Sequence, residues 1–333
     1  MENVRFGVIG IGFFGEKHVE TLQGLRGVSV KAICTRRQNR LDEVASKYNI
    51  PKTFTDYNDL LADPNIDAVT IVTHASDHLK PTLAALNAGK HVFLEKPMAL
   101  TTIECDQIVE AAKASDKLFM VGHICRFETN YAMAKKEVDA GSIGKILYIH
   151  SRRNLSASVT NGVLEKISPI SGDCIHDIDI MQWLIGDKVK KVYAATARMR
   201  NLNNPDIGVV TLHFNQGAIA VSECVWCLPA TSPYQLDARM EIIGDKGAIY
   251  INDSNPPFVM DNDAGRYMCD TYYWPKVLGQ RVGALKEELE YFTRCIEDGV
   301  EPTVITPEES REAVRIVEAA EESAKTGEVV LLV

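Results

Sequence analysis

Val4-Arg5-Phe6-Gly7-Val8-Ile9-Gly10-Ile11-Gly12-Phe13-Phe14-Gly15 decides how the rest of this chain is read. An apolar run of strand length leads straight into glycines spaced G-x-G-x-x-G, and a helical pattern follows. Each glycine has its own task in such a turn: Gly10 for the tight bend, Gly12 for backbone approach to a pyrophosphate, Gly15 for close packing of helix on strand. The helix N-terminus then presents N–H groups and the positive end of its dipole to the anion. The strand before and the helix after separate this pattern from a chance glycine turn. It predicts a dinucleotide held at Gly10, Gly12, Phe13, Phe14 and Gly15.

Outward from that turn, strand and helix patterns alternate: strands at 28–34, 68–73, 91–94 and 118–122, helices at 38–48, 78–88 and 102–115. Repeated βα units with short connections predict a parallel, doubly wound sheet. Residues 67–73 and 91–94 are almost continuously apolar, as expected for strands covered on both faces. In such sheets ligands sit at the carboxyl ends of strands. Glu95-Lys96-Pro97 closes one of these strands, so Lys96 is a cation expected beside the bound dinucleotide. The end of the second strand reads Cys34-Thr35-Arg36-Arg37. A carboxylate there would bind ribose hydroxyls and repel a 2′-phosphate. Thr35, Arg36 and Arg37 instead suit a phosphate monoester, which favours NADP or dual use over NAD alone.

Beyond 122 the pattern changes. A helix at 131–140 and a strand at 146–152 precede two hairpins, 209–222 around Asn215-Gln216-Gly217 and 238–251 around Gly244-Asp245-Lys246-Gly247. A capped amphipathic helix closes the sequence and stops at Gly327. With 333 residues, the expectation is two domains. Residues 1–122 form an α/β dinucleotide-binding domain. Residues 123–333 form an α+β domain with a large, mostly antiparallel open sheet for substrate binding and oligomerisation.

Net charge of -9 and pI near 5.5 argue against nucleic acid or an anionic membrane as partner, because phosphates demand a basic face. No apolar run approaches the ~18 residues of a membrane span, and the start lacks a signal-peptide pattern. A cytoplasmic protein acting on a small molecule is expected. The eight cysteines follow no framework spacing, which fits free thiols. Cys224-Val225-Trp226-Cys227 lies in a β-patterned segment without a second pair, so no metal site is expected.

Gly10-x-Gly12-x-x-Gly15, residues 67–73 leading to His78, Ala88-Gly89-Lys90-His91-Val92-Phe93-Leu94-Glu95-Lys96-Pro97, Gly122-His123 to Arg126-Phe127, and Ile175-His176-Asp177-Ile178-Asp179 carry a further signal. On them, across essentially its whole length, the chain resembles the Gfo/Idh/MocA oxidoreductases. The resemblance implies hydride transfer between nicotinamide and a ring hydroxyl of a sugar, sugar derivative or inositol-like cyclitol; separately, an exposed face on a broad sheet predicts a homodimer or homotetramer. It implies that Lys96 contacts nicotinamide ribose and substrate hydroxyl, and that His176 accepts the hydroxyl proton. A neutral imidazole is tuned for that step, and a lysine stabilises developing alkoxide charge. Thr73, His78 and Glu95 join the cofactor set, and Arg126 and Arg152 the substrate set. The family pattern places an aspartate four residues before the histidine. Here Gly172 holds that position and Asp173 stands one residue closer, either as the partner of His176 or as a helix cap. The alternatives are a non-catalytic sensor of dinucleotide or sugar, and a redox-assisted glycosidase or epimerase that retains its cofactor.

Overall fold

The computed structural model describes residues 4–332 apart from 161, 163–165, 235, 255–257 and 264. The described chain divides into two compact units, Met1–Phe127 with Tyr273–Val314, and Glu128–Tyr272 with Arg315–Val333.

The first unit is built on a six-stranded parallel sheet. Its strands are β1 (Val4–Ile9), β2 (Val28–Cys34), β3 (Lys52–Phe54), β4 (Ala68–Ile71), β5 (His91–Glu95) and β6 (Phe119–Gly122), in the order β3-β2-β1-β4-β5-β6. The order reverses between β1 and β4, which is the switch point where open parallel sheets bind ligands. Phe6, Val8, Val69, Ile71, Phe93 and Leu94 are fully buried, so both faces of the sheet are covered, as the apolar runs required. Helix Thr102–Ala114 starts with a reciprocal cap, Thr101 accepting from Glu104 N while the Glu104 carboxylate accepts from Thr101 N. Such a cap is worth about 1 kcal/mol. β3 was not expected, because three residues on a sheet edge are too few to show a period.

The sequence suggested one boundary, at 122/123. The first unit in fact runs to Phe127 and takes back Tyr273–Val314. Long-range packing decides this. Phe292, on helix Ala284–Asp298, meets Phe93 edge-on at 5.7 Å, and Trp274 meets Phe14 at 5.3 Å. Glu20 binds both Arg281 and Lys276.

The second unit carries a seven-stranded mixed sheet. Its strands are β7 (Ile146–Leu155), β8 (Val189–Ala197), β9 (Ile207–Phe214), β10 (Ile219–Val225), β11 (Leu236–Gly244) and β12 (Ala248–Asn252), with Val330–Leu331 last. The order is β12-β11-β7-β10-β9-β8 and then the last strand, with β7 and β10 the one parallel pair. Both predicted hairpins form, and Gly217 takes φ +99 in the β9–β10 turn. Along β7, β10 and β11 alternate side chains are buried on one face, where Ile149, Arg153, Ala220, Cys224, Ala238 and Met240 lie. Helix Ile175–Ile185 packs on that face, with Asp177 bonded to Arg153. Tyr148, Tyr193, Ile219 and Tyr250 are exposed on the other. Among the described residues no helix is long and apolar enough to cross a membrane.

Candidate functional site

The three glycines of the first turn separate cleanly. Gly10 has φ +97, and a Cβ there would lie 2.6 Å from the carbonyl carbon and oxygen of Val72. A Cβ on Gly15 would lie 1.9 Å from Gly10 O. Both are glycines because the protein's own backbone fills the space. A Cβ on Gly12 would meet nothing within 4 Å. Only a ligand approaching that backbone requires glycine at 12, so the cradle fits a dinucleotide pyrophosphate. Phe13 is 76% exposed beside it, with Lys17 Nζ 4.3 Å from its ring centre, while Phe14 packs inward on His18 and Trp274.

Arg36 and Arg37, grouped together on sequence, have different surroundings. Arg37 donates to Ile11 O at 3.2 Å, and Arg40 Nε reaches the same carbonyl at 3.3 Å, so both brace the glycine turn. Arg40 also pairs with Glu16. Burial would raise the Glu16 carboxyl, but hydrogen bonds from Lys47, Arg40 and Tyr48 outweigh it and hold the group down at about 2. Arg36 is exposed at the end of β2, where its guanidinium lies 3.4 Å from Asp77. Thr35 N donates to Phe54 O, fixing the exit of β2 against β3.

At the end of β5, buried Glu95 lies 3.0 Å from His18 Nε2 on the helix that follows the glycine turn. Gly122 on β6 makes room for it, since a Cβ there would lie 2.9 Å from Glu95 Oε1. Lys96 is half-buried and the Lys96–Pro97 peptide is cis. His78, expected at the cofactor, is 1% exposed, with Nδ1 2.8 Å from Pro97 O and Nε2 3.2 Å from Thr73 O. It ties the exit of β4 to the turn after Lys96 and presents no ring nitrogen to a ligand. Burial lowers its pKa against the opposing pull of those carbonyls. Thr73 Oγ1 is directed to Asp77 O.

Arg126, placed in the substrate set on sequence, is 2% exposed, and its Nη1 donates to Val304 O at 2.7 Å and Glu309 at 3.2 Å. That arm braces the first unit. Adjacent strand residues point to opposite faces. Arg153 faces helix Ile175–Ile185 and donates to Asp177 at 2.8 Å, so Arg152 points the other way, where it pairs with Asp237. Arg152 therefore faces away from the helix that carries His176. The sequence does not show which of two adjacent strand residues faces the helix, because the phase of a strand is set by what covers it.

In the second unit His176 lies in the first turn of helix Ile175–Ile185, 8% exposed. A π-helical turn, Ile170–Cys174, runs directly into that helix. Ser168 and Ser171 anchor it by hydroxyl hydrogen bonds to Glu321. A π-turn carries more residues per turn than an α-helix and is found as a single-turn bulge in helices. Asp173 does not cap the helix; Cys174 occupies the cap position without a side-chain bond. Asp173 Oδ1 stands 4.0 Å from His176 Nε2, and Oδ2 accepts from Trp226 Nε1 at 2.8 Å. A Cβ on Gly172 would lie 2.3 Å from Trp226 Cη2, so the indole occupies the space a side chain at 172 would need. Trp226 was missed on sequence, because its segment was read for the flanking cysteines. Burial, together with Cys174 and nearby Asp173 and Asp177, holds the Cys224 thiol protonated, and it donates to Arg153 O at 3.0 Å.

The first unit carries a glycine cradle that fits a dinucleotide at its switch point, and the second carries a buried histidine beside an aspartate. Comparison with known proteins agrees. An oxidoreductase family with an NAD-binding Rossmann fold, Gfo/Idh/MocA, matches residues 4–123, and that family's C-terminal alpha/beta domain matches 135–332. The chain belongs to the Gfo/Idh/MocA oxidoreductase family. It is 29% identical to the myo-inositol 2-dehydrogenase of Thermotoga maritima over 96% of each chain. It is 32% identical to the scyllo-inositol 2-dehydrogenase (NAD(+)) of Bacillus subtilis strain 168, over 90% of this chain and 88% of that one. The crystal structure of myo-inositol 2-dehydrogenase from Lactobacillus plantarum superposes with a TM-score of 0.87 at 26% identity, covering 100% of both chains.

Proposed function

We propose that the protein is an NAD(P)-dependent dehydrogenase that oxidises a ring hydroxyl of a cyclitol of the inositol type. The observation that carries this is Gly12, where the fold leaves room for a side chain and the bare backbone is suited to a bound pyrophosphate. The inositol dehydrogenases among its relatives support the substrate class. Bound nicotinamide supplies the hydride acceptor. The remaining chemistry falls to side chains. Lys96 keeps the hydroxyl oriented and stabilises charge that develops on its oxygen. His176 takes the hydroxyl proton at a ring nitrogen, and the Asp173 carboxylate stabilises the imidazolium that results. Glu95, held by His18, keeps the strand end in place for Lys96.

Arg36 supports use of NADP alongside NAD, as an exposed guanidinium at the strand end with no carboxylate of that strand beside it. The eight free thiols support a cytoplasmic setting. The exposed tyrosines and Ile219 on the outer sheet face support assembly as a homodimer or homotetramer, which light scattering on the purified protein measures.

The test is a panel of inositols and sugars followed at the absorbance of the reduced nicotinamide, with Lys96→Met and His176→Gln beside the wild type. Turnover of an inositol is expected, and each variant should lose about 100-fold or more in kcat while still binding cofactor. Cofactor binding without turnover of any polyol would sink the enzymatic reading in favour of a sensor. Activity within tenfold of wild type in either variant would remove that residue from the reaction.

A further inference from the structure

We infer that Trp226 is a positioning residue for His176: its indole fixes the Asp173 carboxylate, and Gly172 is the glycine that its ring requires. The inference rests on the reading of His176 as proton acceptor.

Trp226 directly follows β10, and its backbone is clamped on both sides. Its N–H donates to Asp206 O at 2.7 Å, and its carbonyl accepts from Thr160 Oγ1 at 2.7 Å and from Arg200. Asp206, wholly buried, accepts in turn from Met199 N, Arg200 N and Arg200 Nε. The indole is therefore held by a polar framework independent of the histidine helix, and Trp226 is only 2% exposed. Its far edge lies against Gly172, where an added Cβ would fall 2.3 Å from Cη2 and 2.7 Å from Cζ2. Its Nε1 lies 2.8 Å from Asp173 Oδ2.

An indole N–H can only donate, so the oxygen it meets must accept. That fixes the rotation of the carboxylate and leaves Oδ1 on the His176 side, 4.0 Å from Nε2. At that separation the contact is electrostatic rather than a hydrogen bond, and its strength depends on the carboxylate being kept from turning away. Neither Gly172 nor Asp173 would do this alone. The π-turn presents the carboxylate, and the indole locks it.

Two measurements decide the matter. With myo-inositol and NAD+, Trp226→Phe keeps the ring over Gly172 and removes the donor. It should lower kcat by about tenfold while leaving the KM for NAD+ unchanged. Because the effect runs through Asp173, the double variant Trp226→Phe/Asp173→Asn should be no slower than Asp173→Asn alone. Multiplicative losses would overturn the inference. The second readout needs no turnover. In protein carrying 15N-indole, the Trp226 resonance, assigned by elimination with Trp183→Phe and Trp274→Phe among the three tryptophans, should move with the protonation of His176 and stay still in His176→Gln. Other titratable or charged groups in that region are Asp177 with its partner Arg153, Asp206 with its partner Arg200, the protonated Cys224 thiol and its neighbour Cys174, and Glu128, which burial pushes up to about 7. The His176→Gln control separates their titration from that of His176. An indole signal that ignores pH in wild type overturns the positioning role even if Trp226→Phe fails to fold. Full turnover in His176→Gln would instead bring down the reading of the site itself, so the two failures are distinguishable.

Discussion

The two units make their candidate sites from different material. In the first, recognition is built from backbone: a glycine turn, a helix N-terminus and the ends of parallel strands. In the second it is built from side chains brought together over long sequence separations, with Asp173 and Trp226 53 residues apart. A backbone site is written as a local spacing. A side-chain site is written nowhere in particular, since each member looks ordinary until the sheet places it.

The glycines are the sharpest way to break this contrast. Gly15→Ala sets a Cβ 1.9 Å from Gly10 O, so it should abolish cofactor binding and lower the melting temperature sharply. Gly12→Ala, with nothing within 4 Å of its added carbon, should leave the melting temperature unchanged and weaken NAD+ at least tenfold by calorimetry. Equal destabilisation by the two would mean that all three glycines serve the fold, and the ligand argument would go.

Within the same unit the two arginines test where side chains begin to matter. Arg36→Ala should weaken NADP+ by about tenfold and leave NAD+ nearly untouched, a salt-sensitive loss typical of one phosphate contact. Arg37→Ala should weaken both cofactors alike, because it loosens the Ile11 carbonyl. Parallel losses in both variants would remove the 2′-phosphate role from Arg36.

Glu128 gives the second unit a pH signature. Its carboxylate caps helix Thr129–Asp139, accepting from Asn130 N and Tyr131 N. Burial, then the nearby Asp253 charge, push it up from 4.5 to about 7 in the fold. The native state therefore holds this proton more tightly than the unfolded chain. The stability it contributes is complete below 4.5 and is lost as pH rises to about 7, by at most about 3 kcal/mol. Glu128→Gln keeps a cap acceptor and should flatten the urea midpoint across that range. An unchanged slope would show that Glu128 is already ionised there.

How far the site could be read in advance follows the same division. Gly10, Gly12, Gly15 and Lys96 were singled out from spacing and strand periodicity alone. His176 was singled out by resemblance, since a histidine in an apolar helix carries no local mark. The direction of Arg152 was not legible because adjacent arginines on a strand differ only in phase, and the phase is decided by the helix that covers Arg153. His78 was assigned to a ligand, whereas burial turned both its nitrogens to backbone carbonyls.

By itself the sequence determined the parallel sheet, the glycine turn and the pair of β-hairpins, because periodicity and glycine conformation act over a few residues. Tertiary structure alone decided that Tyr273–Val314 rejoins the first unit and that an indole stands where a side chain at 172 would be. It also decided that Asp173, one residue out of the expected spacing, faces His176. Those outcomes depend on which distant surfaces exclude each other, and no local pattern in the chain records that.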